Sequence, residues 1–196
     1  YSDRARMDRD AQGGSHQGVI AVVSDYRYAT VDEILAKAES LGEKPFVMIL
    51  DGLEDPHNLG AIMRTAECAG VHGIIIPKRR SVSVNETVAK TSAGASEYML
   101  CARVTNIARE IDKLKERGLW IGACDMDGEI YSGQDLTGSI GMVIGSEGFG
   151  ISRLVREKCD FVVSIPMKGR ITSLNASNAA SILMYEIVRQ RLAEQG

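Results

Sequence analysis

The segments G-S-E-G-F-G, residues 145–150, and I-P-M-K-G-R-I-T-S-L-N-A-S-N, residues 165–178, decide the fold class of this chain. Each segment is polar, contains glycine and follows an apolar run, residues 140–144 and 161–165, of the kind that forms a buried strand. In open α/β sheets, ligands bind at the carboxyl ends of the strands. We therefore expect both segments to be loops that leave one edge of a sheet close together and line a binding site.

Apolar runs alternate with helical patterns along most of the chain. Further runs that predict strands cover residues 46–50, 73–76 and 119–123. Their hydrophobicity is continuous rather than alternating, which indicates strands covered on both faces. The pattern therefore predicts an α/β fold with a mostly parallel sheet and helices on both faces.

Helical spacing of apolar residues fills the intervals between these runs. It covers residues 59–69 and 107–114, and Gly70 and Gly118 follow at positions typical of helix C-caps. A last helix, about residues 174–192, has a wide apolar stripe. Such a stripe can cover the sheet and still contact a second subunit.

The beginning of the chain differs from the rest. Residues 1–14 are polar and aperiodic, so we expect a mobile linker. Residues 18–23 predict a short strand and residues 31–38 a short helix. We divide the chain into a connecting segment, residues 1–44, and a main domain, residues 45–196.

Composition limits the class of protein. With 196 residues, 44% hydrophobic and 25% charged, the chain is typical of a soluble domain with a sizeable core. No apolar run approaches the roughly 20 residues of a membrane span, and the first residues lack the apolar core of a secretory signal. A cytoplasmic location without membrane contact is the expectation.

Metal binding is not expected. The 4 cysteines lack C-x-x-C spacing and the 3 histidines are scattered, so reduced, mostly buried thiols are favoured over a zinc site or disulfides. Asp125 and Asp127 resemble the start of a calcium loop, but the later ligands are missing. We interpret their segment as a turn after the strand that ends at Ala123.

Charge and glycine spacing narrow the choice of ligand. A formal net charge of −3 argues against a non-specific nucleic-acid binder, although residues 78–80, Lys168 and Arg170 could form a local basic patch. Taken alone, such clusters are more often solvated faces.

The order G-x-x-G-x-G differs from the dinucleotide fingerprint, and no Lys-Ser/Thr pair follows as in a P-loop. Neither NAD nor ATP is favoured, and a tight turn into the next helix is the simplest alternative.

A third segment, D-G-L-E-D-P-H-N-L-G-A-I-M-R-T-A, residues 51–66, again follows an apolar run. With residues 145–150 and 165–178, it closely resembles motifs 1, 2 and 3 of the SpoU (TrmH-like) branch of the SPOUT RNA methyltransferases. The resemblance covers about residues 45–191 and implies methyl transfer from S-adenosylmethionine to a ribose 2′-oxygen in RNA. It makes residues 45–196 the catalytic domain.

The resemblance also implies a substrate. Residues 16–21, H-Q-G-V-I-A, look like the linker that precedes the catalytic domain in large-subunit rRNA guanosine 2′-O-methyltransferases, and P-K-R-R-S-V, residues 77–82, is similar to the same subgroup. A guanosine in large-subunit rRNA is the implied target, with the tRNA-modifying branch as the alternative. Residues 1–44 would then be the remnant of a connection to a missing N-terminal RNA-binding domain.

Two architectural expectations come from the resemblance alone. Knots are rare in proteins, yet the family implies a deep trefoil knot at the C-terminal end, with the segment after Ile165 threaded through a loop near residues 91–95. The family also implies a homodimer through the region of the C-terminal helix, with the active site completed at the interface.

The three motifs assign site residues position by position. By resemblance, the active-site residues are Asn58, Arg64, Glu147, Ser173 and Asn175. The resemblance places S-adenosylmethionine against Thr91, Ile144, Gly145, Gly148, Ile165, Met167 and Leu174. The apolar members of this set suit an adenine face, although in any α/β protein they would otherwise be core residues.

Each active-site assignment has a structural alternative. Asn58, Ser173 and Asn175 are natural helix caps, and Glu147 could interact with a helix dipole. Arg64 could be a solvated helix residue. Because arginine stays protonated in proteins, we expect Arg64 to grip the target phosphate and lower the pKa of the ribose hydroxyl rather than act as a simple general base.

Two functions of other classes compete with the methyltransferase. A non-catalytic RNA-binding relative would keep the fold as a scaffold, but retention of the whole active-site set argues against it. A nucleotide-binding enzyme would use the glycine-rich loop on another substrate. S-adenosylhomocysteine, but not ATP, should stabilise a methyltransferase against heat. This response would distinguish the methyltransferase from the nucleotide-binding enzyme.

Overall fold

The computed structural model describes residues 3–11, 18 and 26–194. Its strands are β1 Phe46–Asp51, β2 Gly73–Pro77, β3 Cys101–Val104, β4 Trp120–Ile130, β5 Ile140–Gly145 and β6 Phe161–Ser164. They form one sheet in the order β3-β2-β1-β5-β4-β6, and each pairing between these strands is parallel. The predicted α/β fold with a mostly parallel sheet is confirmed.

Helices cover both faces of this sheet. They are α1 Arg4–Asp10, α2 Val31–Leu41, α3 Pro56–Cys68, α4 Glu86–Thr91, α5 Ile107–Glu116, α6 Arg153–Lys158 and α7 Ala176–Glu194. Among the described residues, no helix combines the length and apolar character needed to cross a membrane.

Strand β1 shows why its apolar run is continuous. Phe46, Met48 and Leu50 belong to a core shared with α3 and α7, whereas Val47 and Ile49 belong to a second core shared with α2, α5 and α6. All five side chains are at most 1% exposed. Burial of each stabilises the fold by about 2 kcal/mol, so each of these five positions has to be apolar.

Helix α3 starts earlier than its apolar spacing suggests. Asp55 is the N-cap, and its Oδ1 accepts a hydrogen bond from the backbone N–H of His57 at 2.8 Å. Pro56 follows at the first helical position, where its missing N–H costs nothing. The alternative role of Asn58 as an N-cap is therefore wrong, because Asn58 lies inside the first turn.

The predicted turn at residues 124–128 is wrong. Strand β4 continues through this segment to Ile130, and its register with β6 shifts between Cys124 and Glu129. A Cβ at Gly128 would lie 2.6 Å from a backbone carbon of Val163, so the irregular strand can approach β6 this closely only with glycine. The apolar pattern stops at Ala123 because the following residues are mostly solvent-accessible.

Two elements, one near the N-terminus and one at the edge of the sheet, were not predicted from the sequence. Residues 4–10 form helix α1, capped by Asp3, which accepts from the N–H of Arg6 at 2.7 Å, whereas we expected a linker without structure. A local cap and a charged pattern do not need an apolar face. Strand β3 was not predicted because it is short and contains Arg103. The strand predicted at residues 18–23 lies, apart from residue 18, outside the described residues.

Candidate active site

The glycine-rich loop, residues 145–150, folds tightly back onto the end of β5. The backbone N–H of Ser146 donates to the carbonyl of Gly150 at 3.1 Å, and the N–H of Gly150 donates to the carbonyl of Ser146 at 2.9 Å. A Cβ at Gly145 would lie 2.2 Å from the carbonyl carbon of Gly150. Only glycine is compatible with this close approach. The loop is therefore a closed turn at the carboxyl edge of the sheet.

A cavity of about 700 Å³ lies between this loop and the segment that follows β6. The size falls within the roughly 300–1,000 Å³ range of small-molecule sites. Its lining includes most of the residues predicted to contact the cofactor: Ile144, Gly145, Gly148, Ile165, Met167 and Leu174. The two loops identified first in the sequence thus meet around one cavity, as expected.

Thr91 is the exception among the predicted cofactor residues. It ends helix α4, does not line the cavity, and its Oγ1 lies 3.3 Å from Nδ1 of His57. A Cβ at Gly60 would lie 2.7 Å from the Thr91 Cβ, so this position packs α4 against α3. The structure therefore places Thr91 at a contact between α3 and α4, outside the lining of the cavity.

Three predicted active-site residues form one hydrogen-bonded cluster. The Glu147 Oε1 accepts from Nδ2 of Asn58 at 2.8 Å and from Nδ2 of Asn175 at 2.5 Å. The same Asn175 amide donates to Oδ1 of Asn58 at 2.9 Å. This Asn58–Glu147–Asn175 cluster joins the three motifs, which are far apart along the chain. The two hydrogen bonds to the Glu147 carboxylate are charge-assisted and therefore stronger than neutral ones.

The cluster also forms the beginning of helix α7. Asn175 precedes the helix, and its Oδ1 accepts from the backbone N–H of Ser177 at 2.9 Å. Glu147 accepts from the N–H of Ala176 at 3.4 Å. The alternatives from the sequence, a cap for Asn175 and a dipole contact for Glu147, are therefore compatible with active-site roles. The dipole belongs to α7, however, and not to the helix that follows Glu147 in sequence.

Ser173 and Arg64 lie outside the cluster. Ser173 is exposed and lines the cavity. Arg64 is exposed on α3, and its side chain has no hydrogen bond or ion pair within the described part of the chain. Positions six apart along a helix are separated by about 120° around its axis, and Arg64, unlike Glu147 or Ser173, does not line the cavity. The structure thus does not bring Arg64 to the cavity of its own subunit.

One wall of the cavity was missed by the sequence analysis. It consists of Cys124, Asp125 and Met126 from the irregular part of β4. Arg156 on α6 holds this part, since its Nε lies 3.2 Å from Oδ2 of Asp125 and its guanidinium contacts Asp127 at 2.6 Å. The pair of aspartates that resembled a calcium loop is therefore an arginine-binding pair. The alternation of acidic and uncharged residues in C-D-M-D-G was the sequence signal that could have indicated a strand here.

Burial controls the chemistry of the cavity thiol. Desolvation, followed by the nearby charge of Asp125, raises the pKa of Cys124 to about 11. The thiol is therefore neutral near pH 7 and is a poor nucleophile. A covalent intermediate on Cys124 is therefore not favoured.

Comparison with known proteins gives a consistent relationship. The model of the SpoU rRNA methylase family matches residues 45–185. The Bacillus subtilis protein YacO, named for the TrmH family of tRNA/rRNA methyltransferases, is 52% identical over 192 residues, which cover 97% of this chain and 77% of YacO.

Solved structures agree with the sequence relationship. The SpoU methyltransferase AviRb from Streptomyces viridochromogenes, in complex with AdoMet, has a TM-score of 0.77 and 30% identity over 85% of this chain and 66% of its own. The A. aeolicus TrmH/SpoU tRNA modifying enzyme has a TM-score of 0.70 and 27% identity over 84% of this chain and 85% of its own. The predicted family resemblance is confirmed, and the chain belongs to the SpoU rRNA methylase family.

Proposed function

We propose that this chain uses S-adenosylmethionine to methylate the 2′-hydroxyl of a ribose in RNA, and that its target is a guanosine of large-subunit rRNA. Family membership makes the chain an RNA methyltransferase of the SpoU/TrmH class. The observation that carries the proposal is the Asn58–Glu147–Asn175 cluster beside a cavity of cofactor size. The match to a family of rRNA methylases favours rRNA.

The cavity fits the proposed cofactor. Ile144, Ile165, Met167 and Leu174 provide apolar contacts suited to an adenine ring. Apart from the adjacent residues of the loop, no described residue has an atom within 4 Å of the Cβ position of Gly148, which leaves the loop backbone open to a ligand. S-adenosylmethionine, when bound, supplies an electrophilic methyl group to an oxygen nucleophile. The surrounding residues have to orient that oxygen and exclude water.

Glu147 is the group best placed to orient the ribose hydroxyl. Its Oε1 is occupied by two side-chain amides, whereas its Oε2 has no hydrogen bond within the part of the chain that the structure describes. We assign Oε2 as the atom that accepts a hydrogen bond from the ribose 2′-hydroxyl. Asn58 and Asn175 then fix the direction of the carboxylate, and Ser173 supplies a further polar contact at the cavity wall.

A homodimer is part of this proposal. Tyr185 and Leu192 on α7 are 50% and 63% exposed, so this helix retains apolar surface for a second copy. Arg64 is exposed and does not line the cavity of its own subunit. We assign it to the target phosphate in an active site completed at the dimer interface. Size-exclusion chromatography with light scattering tests the dimer: a monomer at all concentrations would contradict it.

The test of function is methyl transfer from isotope-labelled S-adenosylmethionine to unmodified large-subunit rRNA and, separately, to unmodified tRNA. Nucleoside mass spectrometry should give 2′-O-methylguanosine from rRNA. Product from tRNA alone would favour the second candidate, which the joint tRNA/rRNA name of YacO and the A. aeolicus tRNA modifying enzyme support. If neither RNA is methylated and S-adenosylhomocysteine does not bind, a non-catalytic relative would be indicated.

A further inference from the structure

Three consecutive cationic residues, Lys78, Arg79 and Arg80, follow strand β2. All three are exposed, and their side chains form no hydrogen bond or ion pair with any residue that the structure describes. Several other exposed arginines are paired, such as Arg117 with Asp32 and Arg27 with Glu33. In a chain with a formal net charge of −3, this is a local concentration of unpaired positive charge. We call residues 78–80 the cationic loop.

The backbone of the cationic loop is fixed on both sides. The guanidinium of Arg103 donates to the carbonyl of Lys78 at 2.8 Å and stacks over the ring of Tyr28 at 5.0 Å. After the loop, the N–H of Val82 donates to the carbonyl of Leu53 at 2.8 Å, and both side chains are buried. The three charges therefore project from an anchored backbone, which reduces the conformational entropy lost when a ligand binds.

Arg80 has an unfavourable backbone conformation. Its φ of 54° lies in the left-handed region, where the described part of the chain has only one other non-glycine residue, Ala93. Glycine or asparagine would adopt this φ at lower cost. Strained residues concentrate at functional sites, so an arginine here points to a use for its side chain.

The cationic loop lies on the same edge of the sheet as the cavity. It follows the carboxyl end of β2, and the order β2-β1-β5 puts it two strand spacings, about 10 Å, from the start of the glycine-rich loop. The Cβ position of Gly52 is 3.9 Å from the carbonyl of Arg80. Gly52 begins the short connection to α3, which carries Asn58. The loop is thus adjacent to the proposed site of methyl transfer.

We infer that the cationic loop binds phosphates of the RNA strand that delivers the target ribose to the cavity. This inference rests on the proposed function. A strand that enters the cavity has neighbouring phosphates on the sheet edge, and unpaired lysine and arginine side chains bind them without reading sequence. The guanidinium groups of Arg79 and Arg80 can do so with two parallel hydrogen bonds. The loop would thus position the RNA strand without selecting its sequence.

The experiment compares two double variants with equal loss of charge. Lys78→Gln/Arg79→Gln removes cations of the loop. Lys37→Gln/Arg109→Gln removes one cation from α2 and one from α5, on the face of the sheet opposite α3 and α7. The Lys37 and Arg109 side chains are likewise unpaired within the described residues. The probe is a fluorescein-labelled, single-stranded RNA of mixed sequence. Its Kd is measured by anisotropy across a series of KCl concentrations.

Counterion release gives the expected size. Each phosphate contact with single-stranded nucleic acid contributes about 0.7 to the slope of log Kd against log salt. Loss of two contacts should lower the slope by about 1.4 and weaken binding roughly 25-fold at 0.1 M KCl. The control variant should match the wild type. All three proteins should bind S-adenosylhomocysteine equally in calorimetry.

Arg80→Gly tests the loop without a risk to folding, because glycine relieves the positive φ. It should weaken RNA binding about fivefold, by one such contact, with an unchanged or higher Tm. The inference is overturned if the loop variants bind RNA with the wild-type Kd and slope, or if the wild type itself does not bind the RNA. Failure to bind S-adenosylhomocysteine, with RNA binding still dependent on the loop, would instead overturn the proposed function.

Discussion

Replacement of Asn58 by Asp tests the hydrogen-bonded cluster with almost no change in shape. The substitution exchanges the amide Nδ2, which donates to Glu147 at 2.8 Å, for a carboxylate oxygen. Two like charges at this distance repel by about 1.5 kcal/mol at the permittivity of water and about 6 kcal/mol at an effective value of 20. Asn58 is 4% exposed, whereas Glu147 is exposed. We therefore expect an intermediate loss, about 3 kcal/mol.

The loss should depend on pH in a defined direction. The pair avoids repulsion by sharing one proton, as carboxylate dyads do. In the unfolded chain the two carboxyls are apart and take up protons only at their ordinary, lower pH. The folded variant thus binds more protons, and its stability relative to wild type rises as the pH falls from about 6 to about 4. Near pH 7 the variant should melt about 6–12 °C below the wild type.

Thermal unfolding of four proteins completes a double-mutant cycle. They are the wild type, Asn58→Asp, Glu147→Gln and the double variant, in which one carboxylate again faces one amide. The double variant should recover most of the stability lost by Asn58→Asp. If Asn58→Asp melts like the wild type at pH 7, or if the second substitution restores nothing, the cluster does not exist in solution as described.

Three further predictions concern the cavity and its surroundings. Glu147→Gln should lower methyl transfer at least about 100-fold with S-adenosylhomocysteine binding retained, and a normal rate would exclude Oε2 as the acceptor of the ribose hydroxyl. Arg64→Lys should keep more activity than Arg64→Ala, since a cation remains for the phosphate; equal and complete loss in both, with cofactor binding intact, would contradict the phosphate role. Gly145→Ala puts a Cβ 2.2 Å from the Gly150 backbone and should cost about 3 kcal/mol, whereas Gly148→Ala, which meets no atom within 4 Å, should shift the Tm little. Similar Tm values for both glycine variants would show that the loop can open at Gly145.

The sequence predicted those parts of the fold in which burial forces a pattern. Strands β1, β2, β5 and β6 lie within one residue of their predicted bounds because helices cover both faces and exclude polar residues. Strand β4 has such a pattern only up to Ala123, and β3 includes Arg103 within its 4 residues. Polar residues at partly or fully exposed positions interrupt the apolar run, so β4 was predicted incompletely and β3 not at all.

The site was predicted as two loops, but its internal contacts were not. That Glu147 accepts from both Asn58 and Asn175 depends on the register of β1 against β5 and on where α7 begins. Neither is encoded in a local pattern. Thr91 was assigned by resemblance alone and lies at a helix contact. The trefoil knot and the homodimer stay predictions.

The position of Arg64 links the helix geometry to assembly. Asn58 and Arg64 project from α3 in different directions, because positions six apart along a helix are separated by about 120° around its axis. Asn58 is fixed towards Glu147 by burial and by two hydrogen bonds, whereas Arg64 is exposed and does not line the cavity. Helix α3 packs against α7, so we propose that Arg64, which has no partner among the described residues, acts in the cavity of a second copy. Methyl transfer should therefore be lost at dilutions that separate the subunits. Activity lost in Arg64→Ala and in Glu147→Gln should return when the two variants are mixed, because one of the two cavities of a mixed dimer contains both Glu147 and Arg64.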